Sequence, residues 1–253
     1  MNPLIIAHRG NPFERPENTL ASFAAALEVG AQFVELDVQL TRDGKVVVIH
    51  DALVDRTTNG RGRVGEMTLA EIRRLSAGYP ERFGAAFAGE RVPTLAEALG
   101  LLRDRARVMI EIKADSVGQD RDAGIEALTV REVRRAGMSD QVAFLSFDRL
   151  ALLRARELAP EIPRGYIFHG AQSEAVLEGA RAVGCDVVMP HKEMLSEGLA
   201  QSVREAGLRM ATWVVDDPAE LRALAVFDLY AVASNRPGLL LEALEDQASS
   251  GPT

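Results

Sequence analysis

The chain has little cysteine, no excess of positive charge and no long apolar run. Cys185 is the one cysteine among 253 residues, so no disulfide can form within the chain, and we expect a buried thiol in a reducing compartment. The formal net charge of -8 means that the chain has no excess of basic residues to bind nucleic acid or an anionic membrane. The apolar run at residues 4–7 is too short for a signal peptide or a membrane span. The sequence therefore predicts a cytoplasmic protein with no nucleic-acid partner and no stable membrane association, and it leaves the oligomeric state open.

The signature motifs of several protein classes are also absent. The sequence contains no Walker A segment, no paired Cys-x-x-Cys and no G-x-S-x-G, which argues against P-loop, zinc-finger and α/β-hydrolase proteins. Residues 60–65 match the dinucleotide spacing G-x-G-x-x-G, but no buried strand precedes them. We therefore expect this segment to be a loop.

Short apolar runs alternate with amphipathic stretches along the chain, which is 47% hydrophobic. The runs predict strands over Leu4–Ala7, Phe33–Val38, Val108–Ile112, Val142–Leu145, Arg164–Phe168, Asp186–Met189, Arg209–Val215 and Leu229–Ala233. The stretches predict helices over Thr19–Val29, Thr94–Arg103, Ala123–Ala136, Asp148–Leu158, Ser173–Val183, Ser196–Ala206, Pro218–Ala225 and Pro237–Asp246. Eight strands that are each followed by a helix indicate an α/β fold, a (β/α)8 TIM barrel, with an open doubly wound sheet as the alternative.

One connection is too long for an ordinary loop of such a barrel. Capping boxes begin at Thr68 and Thr94, and the second of them opens the helix that follows strand two. The polar, Gly- and Arg-rich residues 51–92 precede that helix, so we predict a small insertion after strand two, either a lid or wall of a site or mere decoration. We predict a single barrel domain over residues 1–247 and a flexible tail over residues 248–253.

Carboxylates occur inside apolar strands, where they are costly to bury. Glu35 and Asp37 stand two residues apart and so point to the same side, and Glu111 and Lys113 likewise share one face. Three acids that meet in a barrel repel one another unless a cation lies between them. An all-oxygen ligand set favours Mg²⁺ or Ca²⁺ over zinc. The alternative is salt bridging to Arg9 and Lys113 without a metal.

Histidines end two of the apolar runs. His8 follows strand one, and His50 follows residues 46–49, which places both near the carboxylates. Cleavage of a P–O bond requires one group that accepts a proton and one that donates a proton. Two imidazoles beside a metal can fill these two roles. His169 and His191 also follow strands, and we expect them to line the mouth of the barrel.

Several segments together resemble the glycerophosphodiester phosphodiesterases in order and spacing. They are Ala7-His8-Arg9-Gly10, Pro16-Glu17-Asn18-Thr19, Glu35-Leu36-Asp37-Val38, Thr41-Arg42-Asp43-Gly44, His50-Asp51, Arg56-Thr57-Thr58-Asn59-Gly60, Val92-Pro93-Thr94-Leu95, Glu111-Ile112-Lys113 and Trp213. The resemblance extends through most of the chain and is strongest before residue 115.

The resemblance implies a TIM barrel that uses a divalent cation to hydrolyse glycerophosphodiesters to glycerol 3-phosphate and an alcohol. It implies that His8 and His50 are the general acid/base pair and that Glu35, Asp37 and Glu111 bind the metal. It further implies phosphate contacts from Arg9 and Lys113, a pocket that includes Trp213, and attack by the glycerol 2-hydroxyl to give a cyclic phosphate. The family usually ends its last strand with Thr-Asp-x-Pro, whereas this chain has Ser234-Asn235-Arg236-Pro237.

Two other functions compete with this interpretation. A metal-dependent lyase or enolising barrel also gathers carboxylates at strand ends, but the sequence offers no obvious lysine base. A non-catalytic phosphate binder would keep the pocket without turnover, and the intact His8 and His50 argue against it. The preferred alcohol, the choice of Mg²⁺ or Ca²⁺ and the order in which the histidines act are left open.

Overall fold

Parallel strands form a closed barrel in the computed structural model, which describes residues 2–170 and 173–249. The strands are β1 (Leu4–Ala7), β2 (Phe33–Leu40), β3 (Val46–Val48), β4 (Arg107–Ile112), β5 (Val142–Ser146), β6 (Arg164–Phe168), β7 (Val187–Pro190), β8 (Arg209–Thr212) and β9 (Ala231–Ser234). Parallel pairing runs from β1 through β2 and β4 to β9, and β9 pairs with β1 again. The predicted (β/α)8 TIM barrel is thus confirmed, and the short β3 adds to β2 in an antiparallel hairpin.

Helices follow the barrel strands and cover them from outside. They are α1 (Leu20–Glu28), α4 (Leu95–Leu102), α5 (Ile125–Ala136), α6 (Arg149–Leu158), α7 (Ser173–Ala182), α8 (Glu197–Glu205), α9 (Pro218–Ala223) and α10 (Pro237–Ser249), while the short helices α2 (Leu69–Ile72) and α3 (Pro80–Phe83) lie in the segment between β3 and α4. Side-chain oxygens cap several helix starts, and Thr68 and Thr94 form the two predicted capping boxes. None of the helices in the described residues is long and apolar enough to cross a membrane.

The two largest differences between predicted and observed element ends, three residues each, lie near the C-terminus. Strand β8 ends at Thr212, whereas the apolar pattern predicts a strand to Val215. Val215 is fully buried in the cluster between strands and helices without being part of the strand, so an apolar pattern cannot mark the strand end. Helix α10 extends to Ser249, three residues past its predicted end, and residues 250–253 of the predicted tail lie outside the described residues.

The core has an inner and an outer part. Inside the barrel lie nine buried apolar residues: Ile6, Met109, Leu145, Ile167, Val187, Met189, Ala211, Ala231 and Ala233. Two larger clusters fill the space between strands and helices, one around β2, β4 and β5 and one around β7, β8 and β9. Because apolar side chains fill the interior of the barrel, polar side chains that point inward are accommodated at the carboxyl ends of the strands.

The segment after strand two has a small apolar core of its own. It includes α2, α3 and a 3-10 turn at Val64–Glu66. Its buried residues are Val47, Ile49, Val54, Val64, Ile72, Ala77 and Val92. Residues 60–65 lie in it as a loop and 3-10 turn, as expected for a spurious dinucleotide motif. This core fixes the segment that begins at Asp51 and includes Arg56, two residues that reach the mouth of the barrel.

Candidate active site

Three carboxylates converge at the carboxyl end of the barrel. Asp37 on β2 lies in register with Glu111 on β4, and Glu35 lies two residues before Asp37 on the same face. One oxygen from each of the three residues lies within 4.8 Å of the others. All three side chains are buried, and Asp37 has no exposed surface. The alternation of the two strands thus produces the cluster that the spacing predicted.

Two cations flank this cluster. The Lys113 ammonium lies 2.6 Å from Glu111 Oε1 and 3.4 Å from Asp37 Oδ1. The Arg9 guanidinium lies 3.2 Å from Asp37 Oδ2, and the Arg9 backbone N–H donates to Glu35 Oε2. Even so, Glu35 Oε1 and Asp37 Oδ1 are buried without a hydrogen-bond partner among the described residues. The ion pairs therefore leave part of the acidic charge unsatisfied.

The pKa values of the three carboxyl groups also show that the two flanking cations do not fully compensate the acidic charge. Burial and the charge of Asp37 raise the pKa of Glu111 to about 7. Burial, with Asp37 and Glu111 adding repulsion, raises the pKa of Glu35 well above its usual value. Burial also opposes the ionisation of Asp37, but Arg9 and Lys113 outweigh it and hold the pKa of Asp37 below its usual value. Two of the three acids thus resist ionisation unless further positive charge is supplied.

His8 lies at the end of β1 with one ring nitrogen bonded and the other in the cavity. Its Nδ1 lies 2.8 Å from Asn235 Oδ1, and its Nε2 lies 4.0 Å from Glu35 Oε2. Burial, followed by the charge of Arg9, lowers the pKa of His8 to about 4. The imidazole is therefore neutral near pH 7 and can accept a proton.

His50 follows β3 and is held by a chain of ion pairs. Its Nδ1 lies 2.6 Å from Asp51 Oδ1, and Arg56 Nε lies 2.6 Å from the other oxygen of Asp51. Arg56 also makes a two-pronged contact with Glu17, at 2.8 Å for each bond, and Glu17 pairs with Arg9. Burial lowers the pKa of His50 despite the favourable charge of Asp37. This chain links the insertion to the barrel and fixes the orientation of the second imidazole.

A cavity joins the polar residues to an apolar wall. Its polar side is formed by His8, Arg9, Glu35, His50 and Glu111, and its apolar side by Leu145, Phe147, Ile167, Met189, Trp213 and Ala233. The indole N–H of Trp213 donates to the carbonyl of Met189 at 3.1 Å, and its ring meets the Phe147 ring edge to face. The cavity can therefore hold a ligand with a charged centre and an apolar flank.

The other predicted mouth residues lie behind this wall. The His191 ring packs against Trp213 at 4.9 Å between centroids, and the His169 ring packs against His191 at 4.7 Å. Among the described residues that line the cavity, Trp213 is present but His169 and His191 are not. Lys113 is likewise not among the described residues of the lining, and it contacts Asp37 and Glu111 beside the cavity.

Sequence reasoning did not single out several residues that complete the site. Asn18 Nδ2 donates to Asp37 Oδ2 at 2.8 Å, while Glu17, Asp51 and Arg56 form the ion-pair chain described above. All four lie in segments that the resemblance quotes, which is the signal that could have identified them. Asp216 binds Asn235 from the loop after β8, and no pattern in the sequence connects these two residues.

Comparison with known proteins adds independent evidence. The sequence profile of the glycerophosphoryl diester phosphodiesterase family matches residues 8–239. A glycerophosphodiester phosphodiesterase from Caldanaerobacter subterraneus subsp. tengcongensis is 36% identical, over 95% of this chain and 97% of its own length. One from Bacillus subtilis is 32% identical, over 93% of this chain and 84% of its own length.

Solved structures agree with the sequence relatives. An Oleispira antarctica phosphodiesterase, solved in complex with the product sn-glycerol-3-phosphate, superimposes with a TM-score of 0.89 at 31% identity, over 96% of this chain and 97% of its own. A glycerophosphodiester phosphodiesterase from Agrobacterium tumefaciens superimposes with a TM-score of 0.80 at 33% identity, over 96% of this chain and 100% of its own. The chain therefore belongs to the glycerophosphoryl diester phosphodiesterase family and is a phosphoric diester hydrolase.

Proposed function

We propose that the protein hydrolyses glycerophosphodiesters to glycerol 3-phosphate and an alcohol, with one divalent cation, Mg²⁺ or Ca²⁺, and with His8 and His50 as the acid–base pair. The observation that carries this proposal is the convergence of three buried carboxylates beside two imidazoles in one cavity. The small-molecule product bound by the Oleispira antarctica relative supports the class of substrate.

The residues present fit a divalent cation. Glu35, Asp37 and Glu111 supply oxygen ligands, as Mg²⁺ and Ca²⁺ prefer. Within the part of the chain that the structure describes, Glu35 Oε1 and Asp37 Oδ1 are buried without hydrogen bonds, and a cation would satisfy both atoms. When bound, the cation would polarise the phosphoryl group and stabilise the charge that develops on its oxygens.

Basic side chains can bind the phosphate next to these carboxylates. Arg9 lines the cavity, and its guanidinium is held by Glu17 and Asp37, so its position is fixed before substrate arrives. Lys113 flanks the same carboxylates on the other side. We assign both residues to contacts with the phosphate oxygens, where they would oppose the negative charge of the transition state.

The histidines would move protons in two steps. In the first step the neutral imidazole takes the proton from the glycerol 2-hydroxyl as that oxygen bonds to phosphorus, while the other, which enters the step as imidazolium, gives its proton to the departing alkoxide as the P–O bond to it breaks. In the second step the roles exchange as water opens the cyclic phosphate, which returns both residues to their starting states. Both rings are held at Nδ1, so each keeps Nε2 for this exchange.

A coupled assay for glycerol 3-phosphate release tests the proposal. The purified protein is assayed on glycerophosphodiesters with different alcohols, after dialysis against EDTA and after addition of Mg²⁺ or Ca²⁺. We expect turnover that EDTA abolishes and a divalent cation restores. Full activity in EDTA would contradict the metal, and no release from any glycerophosphodiester would contradict the substrate class.

The cellular location belongs to this proposal as well. Cys185, the one cysteine of the sequence, is buried, and burial raises the pKa of its thiol to about 12. A protected thiol and a fold without disulfide support suit a reducing compartment, so we propose a cytoplasmic location. Fractionation of the native host with an antibody against the protein would test it.

A further inference from the structure

Asp216 makes a dense set of hydrogen bonds at the edge of the active site. Its Oδ1 accepts from the Ser234 hydroxyl at 3.0 Å and from the Asn235 backbone N–H at 2.6 Å. Its Oδ2 accepts from Asn235 Nδ2 at 2.9 Å. The carboxylate thus reaches from the loop after β8 to the end of β9, next to the residue that contacts His8.

The contact with Asp216 determines which way the Asn235 amide points. A carboxylate only accepts hydrogen bonds, so the NH₂ group of Asn235 must face Asp216. The amide oxygen then faces His8 Nδ1, 2.8 Å away. Because an amide oxygen also only accepts, the hydrogen of this bond must be on His8 Nδ1. The network therefore selects one tautomer of the neutral imidazole, with the lone pair on Nε2.

We infer that Asp216 is a positioning residue for His8, and that it acts through Asn235 to keep the His8 hydrogen on Nδ1 and the Nε2 lone pair toward the substrate. The inference rests on the proposed function of His8 as an acid–base group. It also accounts for Asn235 at a position where the family usually has aspartate. Here the carboxylate is that of Asp216, which contacts the His8 imidazole through Asn235 instead of directly. His50 differs, because its Nδ1 is bonded directly to the carboxylate of Asp51.

A purely structural role for Asp216 makes different predictions. Since Asp216 also binds Ser234 and the Asn235 backbone, its loss could lower stability without changing the chemistry of folded molecules. Substitutions that change the direction of the hydrogen bonds but keep the shape of the side chains separate the two roles. The pair offers such a set: Asp216→Asn, Asn235→Asp, and the two substitutions combined.

The inference predicts rescue by the double variant. Asp216→Asn removes the acceptor that orients Asn235, so the amide can turn its NH₂ toward His8, and we expect kcat to fall about ten- to a hundredfold with KM changed less than about threefold. Asn235→Asp alone places two carboxylates at the 2.9 Å contact, and we expect a loss at least as large. In the double variant the carboxylate introduced at position 235 accepts directly from His8, and the amide introduced at position 216 donates to that carboxylate. We therefore expect kcat of the double variant to return to within about threefold of wild type.

A matched control separates this effect from any loss of a carboxylate in the same loop. Asp217→Asn changes the neighbouring residue, which caps α9 and is exposed, and it supplies another good cap. We expect its kcat and KM to match those of the wild type.

A spectroscopic measurement tests the His8 tautomer independently of enzyme activity. Nitrogen NMR of the resting protein distinguishes a protonated from an unprotonated imidazole nitrogen, and the chain has four histidines, so a His8→Gln variant assigns His8. We expect Nδ1–H in wild type and in the double variant, and Nε2–H in a substantial fraction of Asp216→Asn.

Two outcomes would overturn the inference. One is an Asp216→Asn protein with wild-type kcat and unchanged His8 nitrogen shifts, including one that only melts at a lower temperature. The other is a folded double variant that is no more active than Asp216→Asn. Failure of the proposed function is distinguishable, since a wild-type protein that releases no glycerol 3-phosphate from any diester can still show the Nδ1–H tautomer of His8.

Discussion

His50 donates its Nδ1 hydrogen to the carboxylate of Asp51, the next residue in the chain, across 2.6 Å. His8 donates its Nδ1 hydrogen to the neutral amide oxygen of Asn235, across 2.8 Å. The two imidazoles are therefore oriented in the same way by partners of different charge. In each of them Nε2 is the nitrogen that remains for substrate.

Removal of either imidazole should affect the chemistry more than the fold. For His8→Ala and His50→Ala we expect kcat to fall by about two to four orders of magnitude, the usual contribution of a general acid or base. Both residues end strands and lie outside the apolar core, so far-ultraviolet circular dichroism should match wild type. His169→Ala, outside the cavity lining, should change kcat less than about threefold. Near-normal turnover of a purified His8 or His50 variant would exclude that residue from the mechanism.

The role of the glycerol 2-hydroxyl can be tested in the substrate. A phosphodiester whose glycerol is replaced by an ethanediol monoalkyl ether has no hydroxyl at that position and cannot cyclise. If the hydroxyl attacks phosphorus, the analogue should be a very poor substrate, which phosphorus NMR of the product mixture would measure. Rapid cleavage of the analogue would instead indicate direct attack by water.

The parts of the site that the sequence predicts lie at positions fixed by the geometry of single strands. Alternation within a strand places Glu35 with Asp37, and strand ends place His8 and Lys113, because both patterns follow from backbone geometry alone. The contact between Asp216 and Asn235 joins positions that are 19 apart in the chain, through a loop that leaves β8 at Thr212. No local pattern encodes such a contact, so it becomes visible only in the folded chain.

The placement of His169 and His191 shows a related limit. Both residues follow strands, as His8 does, and the same reasoning predicts them at the mouth. The Trp213 side chain occupies the space between His191 and the cavity, with its rings 4.9 Å from His191. A strand-end position therefore predicts the face of the barrel but not which side chain lies nearest to the ligand.

The apolar wall should contribute to binding rather than to chemistry. Phe147 lines the cavity, is partly exposed and packs its ring edge to face against Trp213. Phe147→Ala should raise KM about three- to thirtyfold for diesters with apolar alcohols and leave kcat nearly unchanged, since loss of uniform binding has that signature. Leu150→Ala, an exposed residue on α6 outside the cavity lining, is the control and should leave KM unchanged. A fall in kcat at constant KM would assign Phe147 to transition-state positioning instead.

The final prediction concerns Glu111 and separates a metal site from a set of salt bridges. Glu111→Gln keeps the shape of the side chain and removes its charge. The folded-state pKa of Glu111 is about 7, raised from 4.5 by burial and by Asp37. Below pH 4.5 the residue is protonated in both the folded and the unfolded chain, and it adds no penalty. As the pH rises to about 7, the unfolded chain releases this proton first, so the wild type without metal loses stability across this interval.

The difference in unfolding free energy between the two proteins cancels the titration of His8 and His50, which occurs in both, and reports the charge of Glu111 together with its repulsion of Glu35. In EDTA the variant should gain on the wild type as the pH rises from 4.5 to 7, by up to about 3 kcal/mol, since one pKa unit corresponds to about 1.4 kcal/mol. At saturating Mg²⁺ or Ca²⁺ and about pH 8 the order should reverse. The wild type then gains about 4.1 kcal/mol at a thousandfold excess over Kd, which exceeds its deficit, and the variant, which lacks one ligand, gains much less.

Salt bridging without a metal predicts the opposite result in EDTA. If Glu111 serves chiefly as the partner of Lys113, 2.6 Å away, its neutralisation leaves a buried ammonium with less compensation. The variant would then be destabilised by about 3 to 5 kcal/mol with or without metal. Urea titrations of both proteins at about pH 5 and about pH 8, in EDTA and in excess cation, decide between these cases. A variant that is strongly destabilised in EDTA at the higher pH would exclude the metal cluster, because repulsion among the three carboxylates is the feature that makes the neutral side chain favourable there.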